Sequence, residues 1–385
     1  MTHLENYATL INSIFGPGTA TFSTDLTEGN NVIGALNNPN DFNEFKQNFT
    51  ARLKRIHQIY SADAGLLEPI LVQVNEIASE KNWQGAFAEL SAFDHLNKEI
   101  LTGKNYLFSP IQADVTLPKE SSFAKELGKQ ETNLDGYIES VGIYFDIKVL
   151  KDNVNEILEG IYKDLEEEFP TLVNIMAEYD MGISYSILQQ KRNKLLKELS
   201  DAVVAKPDIY SFRSKEIPEL SFVFSWKRGV SSALRTYGPY RHAGNHHTNI
   251  FIYANKFLKD QPTLIILVSF PWYNQILNQN RELEIFQRSY ARRVFCQYKN
   301  DITPFANYNP KFSGTETIYG VSNYLSGIIF LNDKTILSND PDSTNVDCSV
   351  YLNPNAKNNL SRSIATNYLH EICNEVYDDF ADDNY

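Results

Sequence analysis

The fold is decided by residues 134–150, LDGYIESVGIYFDIKVL, in which two runs of alternating apolar and polar residues flank a short turn. Such alternation is typical of strands that bury one face, and the short spacing predicts an antiparallel hairpin. Along the second strand, Tyr144, Asp146 and Lys148 share one face, because successive side chains point to opposite sides of a sheet. Phe145 and its apolar neighbours point the other way, which predicts a buried face.

The hairpin predicts which residues of the two strands lie opposite one another. If Ser140-Val141 forms a two-residue tip, Asp135 lies opposite Asp146. Facing residues have Cβ atoms about 5 Å apart, and two carboxylates at that distance repel unless a cation lies between them. Ser-Val is a poor two-residue turn, however, and Gly142 also fits a three-residue loop with a bulge, which would change this pairing.

A third carboxylate is expected from the helix predicted over residues 82–101. Glu89 lies at helical spacing from Ala86, Ala92 and Phe93, so it falls on the stripe that should face the core. An acidic side chain in that position is costly unless a metal or a cation accompanies it. Glu89 is therefore a candidate site residue.

The order of these residues resembles the PD-(D/E)XK nuclease superfamily, whose members have the restriction-endonuclease-like fold. In that family a helix with an acidic residue is followed by a strand with Asp and by a strand with acid-x-Lys. Glu89, Asp135 and Asp146-Ile147-Lys148 follow this order, and Leu134 stands where the family pattern has proline. The resemblance covers residues 82–169. The alternative interpretation is a cross-strand Asp–Lys salt bridge on a solvated face.

The resemblance implies an endonuclease that hydrolyses phosphodiester bonds in DNA with Mg²⁺ or Mn²⁺. Its catalytic residues would be Glu89, Asp135, Asp146 and Lys148. Asp135, Asp146 and Glu89 would ligate the metal, and Lys148 would orient the attacking water or offset developing charge. The implied setting is restriction or anti-phage defence, with a homodimer or a partner protein of a defence system. The alternative is a catalytically inactive protein of this fold that binds nucleic acid or assembles with other proteins.

The charge distribution favours a nucleic-acid partner. The chain has a net charge of −13, yet Tyr210–Asn300 contains 13 Lys or Arg against 5 Asp or Glu. A basic block in an acidic protein suggests a face for an anionic polymer, and DNA is favoured over RNA. The alternative is that these cations pair with acidic helices. The candidate nucleic-acid-binding residues are Lys227, Arg228, Arg235, Arg241 and His242.

Strands that alternate with helices predict an α/β fold, a restriction-endonuclease-like mixed β-sheet flanked by helices with an additional helical N-terminal region. We expect a mainly helical region over residues 1–80, the nuclease domain over 81–345, and a C-terminal helix with an acidic tail over 346–385. Within this scheme, the Asn-, Gly- and Thr-rich residues 1–40 favour loops and short strands. Helix is expected again over residues 360–380.

Several classes of protein are excluded by composition. The three cysteines are too few and too far apart for a disulfide scaffold or a four-thiolate zinc site. No run reaches the roughly 18 apolar residues of a membrane helix, and Met1–Leu10 lacks the order of a signal peptide, so we expect a cytoplasmic protein. A hydrolase with zinc held by His242, His246 and His247 is a third hypothesis, weakened because no HExxH pattern is present.

Overall fold

The computed structural model describes residues 3–23, 30–98, 109–150, 153–170, 174–179, 185–205, 210–225, 238–272, 280–342, 344–360 and 375–377. The chain forms two compact units. The first comprises Met1–Leu150, Ile250–Gln275 and Phe295–Asp383, and the second comprises Lys151–Asn249, Ile276–Val294 and Asn384–Tyr385. The division of the sequence at residues 80/81 and 345/346 stays a prediction.

Strands and helices alternate along the described residues. The strands are β1 Gln112–Pro118, β2 Glu131–Ile138, β3 Ile143–Val149, β4 Asn174–Tyr179, β5 Tyr210–Arg213, β6 Leu220–Ser225, β7 Thr263–Ser269, β8 Gly327–Asp333, β9 Val346–Leu352 and β10 Glu375–Tyr377. The α-helices are α1 His3–Phe15, α2 Asn31–Asn37, α3 Asn43–Tyr60, α4 Ala64–Glu76, α5 Trp83–Leu96, α6 Asn153–Glu168, α7 Tyr185–Ala205, α8 Pro239–His246, α9 Asn280–Cys296 and α10 Ile318–Ser322. None of the described helices combines the length and the apolar character needed to cross a lipid bilayer.

A mixed seven-stranded sheet lies in the first unit, in the order β1-β2-β3-β7-β8-β9-β10. The pairs β1–β2, β2–β3 and β8–β9 are antiparallel, whereas β3–β7, β7–β8 and β9–β10 are parallel. Side chains of α1–α5 share one hydrophobic core with this sheet. The expected mixed α/β sheet flanked by helices is therefore confirmed.

The two central strands are buried on both faces. Every residue of β7 (TLIILVS) and of β8 (GIIFLND) is buried. Nearly continuous apolar runs of this kind are typical of strands that are covered on both sides. The short apolar run of residues 263–270 predicts a covered strand of this kind, and the structure confirms it.

The N-terminal forty residues contain helices where loops and short strands were expected. Leu4, Tyr7 and Ile11 recur at helical spacing in α1 and are almost completely buried. Helix α2 begins after Asn30, whose side-chain oxygen accepts a hydrogen bond from the N–H of Ile33 at 3.0 Å. The expectation of loops was wrong because the many polar residues concealed a helical period and a helix cap.

The second unit has its own core and a separate antiparallel sheet in the order β4-β6-β5. Helices α6 and α7 contribute Leu158, Ile161, Leu195 and Leu199 to this core, where they meet Phe222 of β6. Helical spacing over residues 152–169 and 183–204 predicts both helices, and the apolar run 220–226 predicts β6, whereas no pattern predicts β4 or β5. These two strands have only six and four residues, so their alternation gives little signal.

The C-terminal region differs from the expected helix over residues 360–380. Glu375–Tyr377 form strand β10, which pairs in parallel with Ser349–Tyr351 of β9. A short apolar-polar run fits either state, and the unpaired backbone of a sheet edge favours an added strand. Residues 361–374 of the expected helix and residues 378–385 of the acidic tail lie outside the described residues.

Candidate active site

Strands β2 and β3 form the predicted hairpin in the predicted register. Gly136 pairs with Phe145, and Tyr137 pairs with Tyr144. The turn spans residues 139–142 instead of having a two-residue tip, and Gly142 adopts a φ of +66°. This left-handed conformation favours glycine, which explains why the longer turn closes without changing the register.

The faces of β3 follow the predicted alternation. Ile143, Phe145 and Ile147 are buried, and the ring of Phe145 lies 6.0 Å from that of Phe93 on α5. Asp146 belongs to the opposite face by alternation, yet its side chain is 0% exposed. A buried carboxylate requires a cation or hydrogen-bond donors close by.

The structure brings Asp135, Asp146 and Lys148 together. The Nζ atom of Lys148 lies 2.7 Å from Oδ2 of Asp146 and 3.5 Å from Oδ2 of Asp135. The backbone N–H of Ile147 donates a hydrogen bond to the same Asp135 oxygen at 2.6 Å. Two carboxylates on neighbouring strands therefore share one ammonium group.

Glu89 on α5 belongs to the same electrostatic cluster. Burial and the negative charge of Asp135 together raise the pKa of Glu89 to about 9, although the positive charge of Lys148 acts in the opposite direction. Burial likewise raises the pKa of Asp135 to about 6, and the Asp146 carboxylate contributes in the same direction. For Lys148, burial lowers the pKa but the two aspartates raise it by more, so the ammonium form is favoured.

A second lysine, which the sequence reasoning missed, completes the surroundings of Asp146. The Nζ atom of Lys256 lies 3.0 Å from Oδ1 of Asp146, and it also donates a hydrogen bond to the carbonyl oxygen of Asn133. Lys256 is the last residue of a 3-10 helix, His247–Lys256. Tyr253 of the same helix contacts Lys148, whose Nζ atom lies 5.2 Å from the centroid of the tyrosine ring. No local spacing signals Lys256, because it is far from β3 in the sequence.

Asp114 on β1 is a further acid of the cluster that the sequence reasoning missed. Its neighbours Ala113 and Val115 pair with Gly136 and Leu134 of β2, which flank Asp135. Asp114 therefore lies opposite Asp135 on the adjacent strand. Asp114 has a φ of +52°, which is uncommon for a residue other than glycine. Its charge also raises the pKa of Glu89. An acid within the alternating QADVTLP strand was the available sequence signal.

The donor chemistry of the cluster suits a hard divalent cation, because its acidic members offer carboxylate oxygens. Glu89, Asp135 and Asp146 repel one another when ionised, and a cation would offset that repulsion. Within the described part of the chain, however, no three His, Cys, Asp or Glu side chains form a ready metal-binding group. Both oxygens of Asp146 already lie beside lysines, so a cation that binds Asp146 would displace an ammonium group.

The predicted nucleic-acid-binding residues are only partly described. Lys227, Arg228 and Arg235 lie outside the described residues, whereas Arg241 and His242 lie on α8 of the second unit. Arg241 is exposed, but His242 is buried, and its ring lies 5.0 Å from that of Phe286. The structure therefore does not present His242 at the surface, and the nucleic-acid-binding role of the set stays a prediction.

The histidines of the zinc hypothesis are close together but buried. The rings of His242 and His246 lie 4.3 Å apart, and burial lowers the pKa of His247 to about 4. These side chains are not among any described group of three that could hold a metal. The structure therefore gives the zinc hypothesis no support.

The chain was compared with known proteins at three levels. No family model, no curated protein and no solved structure matches it. The interpretation of the candidate site therefore rests on the geometry of its own residues and on the order in which they follow one another along the sequence.

Proposed function

We propose that this protein is a metal-dependent nuclease that hydrolyses phosphodiester bonds in DNA, with a restriction-endonuclease-like fold. The observation that carries the proposal is the convergence of Glu89, Asp135, Asp146 and Lys148 from α5, β2 and β3. The same four residues follow one another along the sequence in the order that the resemblance implies. An acid-x-Lys pattern that arose by chance would not be expected to have acidic residues from two other elements, here α5 and β2, beside it.

Each residue has a role that follows from its surroundings. Asp135, Asp146 and Glu89 would hold Mg²⁺ or Mn²⁺ through carboxylate oxygens. When bound, the metal supplies Lewis-acid stabilisation of the phosphate and lowers the pKa of a bound water. Lys148 remains protonated between the two aspartates, so its ammonium group can orient the attacking water or offset negative charge on the phosphate.

The reaction is a hydrolysis at phosphorus. A water oxygen forms a new P–O bond, the bond to one sugar oxygen breaks, and a proton ends on that leaving oxygen. Glu89 holds a proton at neutral pH when no cation is present, because its pKa is about 9. Its carboxyl group can therefore donate a hydrogen bond or, once ionised, accept a proton through water.

The proposal is tested by incubating the protein with plasmid, linear duplex and single-stranded DNA in Mg²⁺, Mn²⁺ or EDTA. We expect the protein to cleave DNA in Mg²⁺ or Mn²⁺ but not in EDTA. The variants Asp146→Asn and Lys148→Met should each cleave about 100-fold or more slowly than the parent. A matched control is the double variant Glu44→Gln/Lys46→Met, which removes the acid-x-Lys pattern of α3 and should keep the parental rate. Cleavage by Asp146→Asn at the parental rate would contradict the assignment.

A second candidate function is a catalytically inactive member of the same fold that binds nucleic acid. It is favoured by one observation, that Lys148 and Lys256 flank both oxygens of Asp146 and so substitute for a cation. Under this alternative, DNA is bound without cleavage in any metal. The cleavage assay above separates the two functions.

The biological setting is proposed from the resemblance alone. Restriction or another form of defence against foreign DNA is the setting that such nucleases commonly serve. A homodimer would place one site on each strand of a duplex, and a partner protein of a defence system could supply the same arrangement.

A further inference from the structure

Two loops of the first unit are joined by a buried hydrogen bond beside the candidate site. They are residues 119–130, between β1 and β2, and residues 255–259, at the C-terminal end of the 3-10 helix. The buried hydroxyl of Ser122 donates a hydrogen bond to the carbonyl oxygen of Asn255 at 2.7 Å. Lys256, the next residue, extends its ammonium group to within 3.0 Å of the buried carboxylate of the site. This connection fixes the first loop next to the site.

A third loop, residues 309–314, is fixed to the first one. Both the N–H and the hydroxyl of Ser313 donate hydrogen bonds to the carbonyl oxygen of Glu126, at 2.9 and 3.0 Å. The rings of Phe312 and Phe123 meet edge to face with centroids 5.8 Å apart. The three loops thus form one continuous support, and side chains on them keep defined positions relative to the site.

Two lysines on these loops have exposed side chains that face solvent. Lys129 lies near the end of the first loop and Lys311 lies in the third, and both side chains are exposed. Neither forms a salt bridge with any residue that the structure describes. Lys259 on the second loop differs, because its Nζ atom lies 2.7 Å from a carboxylate oxygen of Glu126.

The positive charges of Lys256 and Lys311 act on Lys129. Partial burial lowers the pKa of Lys129, and the charge of Lys256 lowers it further. Lys148 and Lys311 act in the same direction, whereas Asp146 opposes them. Like charges that are held together cost free energy, and a bound polyanion removes that cost.

We propose that Lys129, Lys256 and Lys311 form a phosphate-binding surface, called here the lysine surface, that holds the sugar-phosphate backbone of nucleic acid beside the candidate site. This inference rests on the proposed nuclease function and names the part of the substrate that is recognised. Ammonium groups bind phosphate oxygens whatever the base, so the surface supplies affinity and register without sequence preference. Lys129 and Lys311 lie outside the basic block Tyr210–Asn300, so composition did not reveal them.

The test measures binding of the full chain in EDTA, where metal-dependent cleavage cannot occur. Fluorescence anisotropy with a labelled 30-base-pair duplex is recorded over a series of KCl concentrations. For the double variant Lys129→Ala/Lys311→Ala, we expect the Kd to rise about tenfold at low salt. We also expect the slope of log K against log salt to become shallower by about 1.8, since each phosphate contact contributes about 0.9.

A matched control removes the same charge elsewhere. Lys54 on α3 and Lys81 before α5 are exposed and lie outside the basic block, and Lys54→Ala/Lys81→Ala should bind within about twofold of the parent with an unchanged salt slope. Thermal unfolding of both double variants, followed by circular dichroism, checks that each still folds.

The outcomes separate this inference from the proposed function. If Lys129→Ala/Lys311→Ala binds with the affinity and the salt slope of the parent, or if the parent does not bind DNA, the lysine surface is wrong. Metal-dependent cleavage by the parent would still support the nuclease in the first case. Conversely, weaker binding by the double variant, together with no cleavage in any metal, supports the lysine surface and contradicts the nuclease.

Discussion

Asp146 is the residue at which the energetics of the site are concentrated. Its side chain is 0% exposed, and both of its oxygens lie within 3.0 Å of lysine ammonium groups. Isolating a carboxylate from water costs several kcal/mol, which Lys148 and Lys256 offset. Lys148 and Lys256 therefore stabilise a buried charge that the hydrophobic core does not require.

Glu89 provides a prediction about pH. Burial and Asp135 raise its pKa from 4.5 to about 9, so between these values the folded protein holds a proton that the unfolded chain has released. Stability attributable to Glu89 is therefore lost as pH rises through that window, by up to about 1.4 kcal/mol per pH unit. The glutamine of Glu89→Gln cannot ionise. The free energy of unfolding of this variant, relative to that of the parent, should therefore increase from pH 5 to pH 9.

Urea unfolding in EDTA at pH 5, 7 and 9 checks this prediction, because it isolates the acid from any metal. The quantity of interest is the difference in free energy of unfolding between Glu89→Gln and the parent at each pH. A difference that is constant over the range would mean that Glu89 ionises normally and lies apart from the other carboxylates.

At the scale of the element, α5 is fixed to its neighbours by a buried ion network. Asp94 on α5 lies 3.2 Å from Nε of Arg52 on α3, and Nη2 of Arg52 lies 2.7 Å from Oδ2 of Asp333 at the end of β8. Ser91 of α5 also donates a hydrogen bond to Asp333 at 2.7 Å. Since α5 also carries Glu89, this network holds the third carboxylate at a defined position relative to the sheet.

The β2–β3 hairpin gives a prediction about register. The ring of Phe145 covers Gly136 on the paired strand, and a Cβ atom at residue 136 would overlap that ring. Gly136→Ala should therefore destabilise the protein by about 1–3 kcal/mol, because the ring must move in a packed core. Chemical unfolding measures this loss.

Gly85 is the matched control for that substitution. It lies on α5, and a Cβ atom there would have no neighbour within 4 Å. Gly85→Ala should stabilise the protein by about 0.5–1 kcal/mol, because alanine loses less conformational freedom in a helix. Equal effects of the two substitutions would show that the ring of Phe145 is not packed on Gly136.

For the whole molecule, the sequence predicted what depends on local periodicity. Helices α3, α4 and α5 and the register of β2 with β3 follow from the spacing of apolar residues within each segment. The convergence of Asp135, Asp146 and Lys148 was predictable for the same reason, because one hairpin carries all three. Glu89 was found through its mismatch with the apolar stripe of α5.

The contributions that were missed come from distant parts of the chain. Lys256 reaches Asp146 because β3 pairs in parallel with β7, which begins at Thr263 shortly after the 3-10 helix. The loop that carries Lys311 is positioned by its packing on residues 123–126. Local alternation carries no information about such pairings, so neither lysine could be placed from sequence alone.

The most direct test of the whole interpretation is a crystal structure of the protein grown with Mn²⁺, with data recorded at the manganese absorption edge. We predict an anomalous peak within coordination distance, about 2.0–2.3 Å, of carboxylate oxygens of Asp135 and Asp146, with Lys256 moved away from Oδ1 of Asp146. If saturating Mn²⁺ gives no peak there, and both lysines stay beside Asp146, the four residues form a structural ion cluster and the proposed metal-dependent nuclease is contradicted.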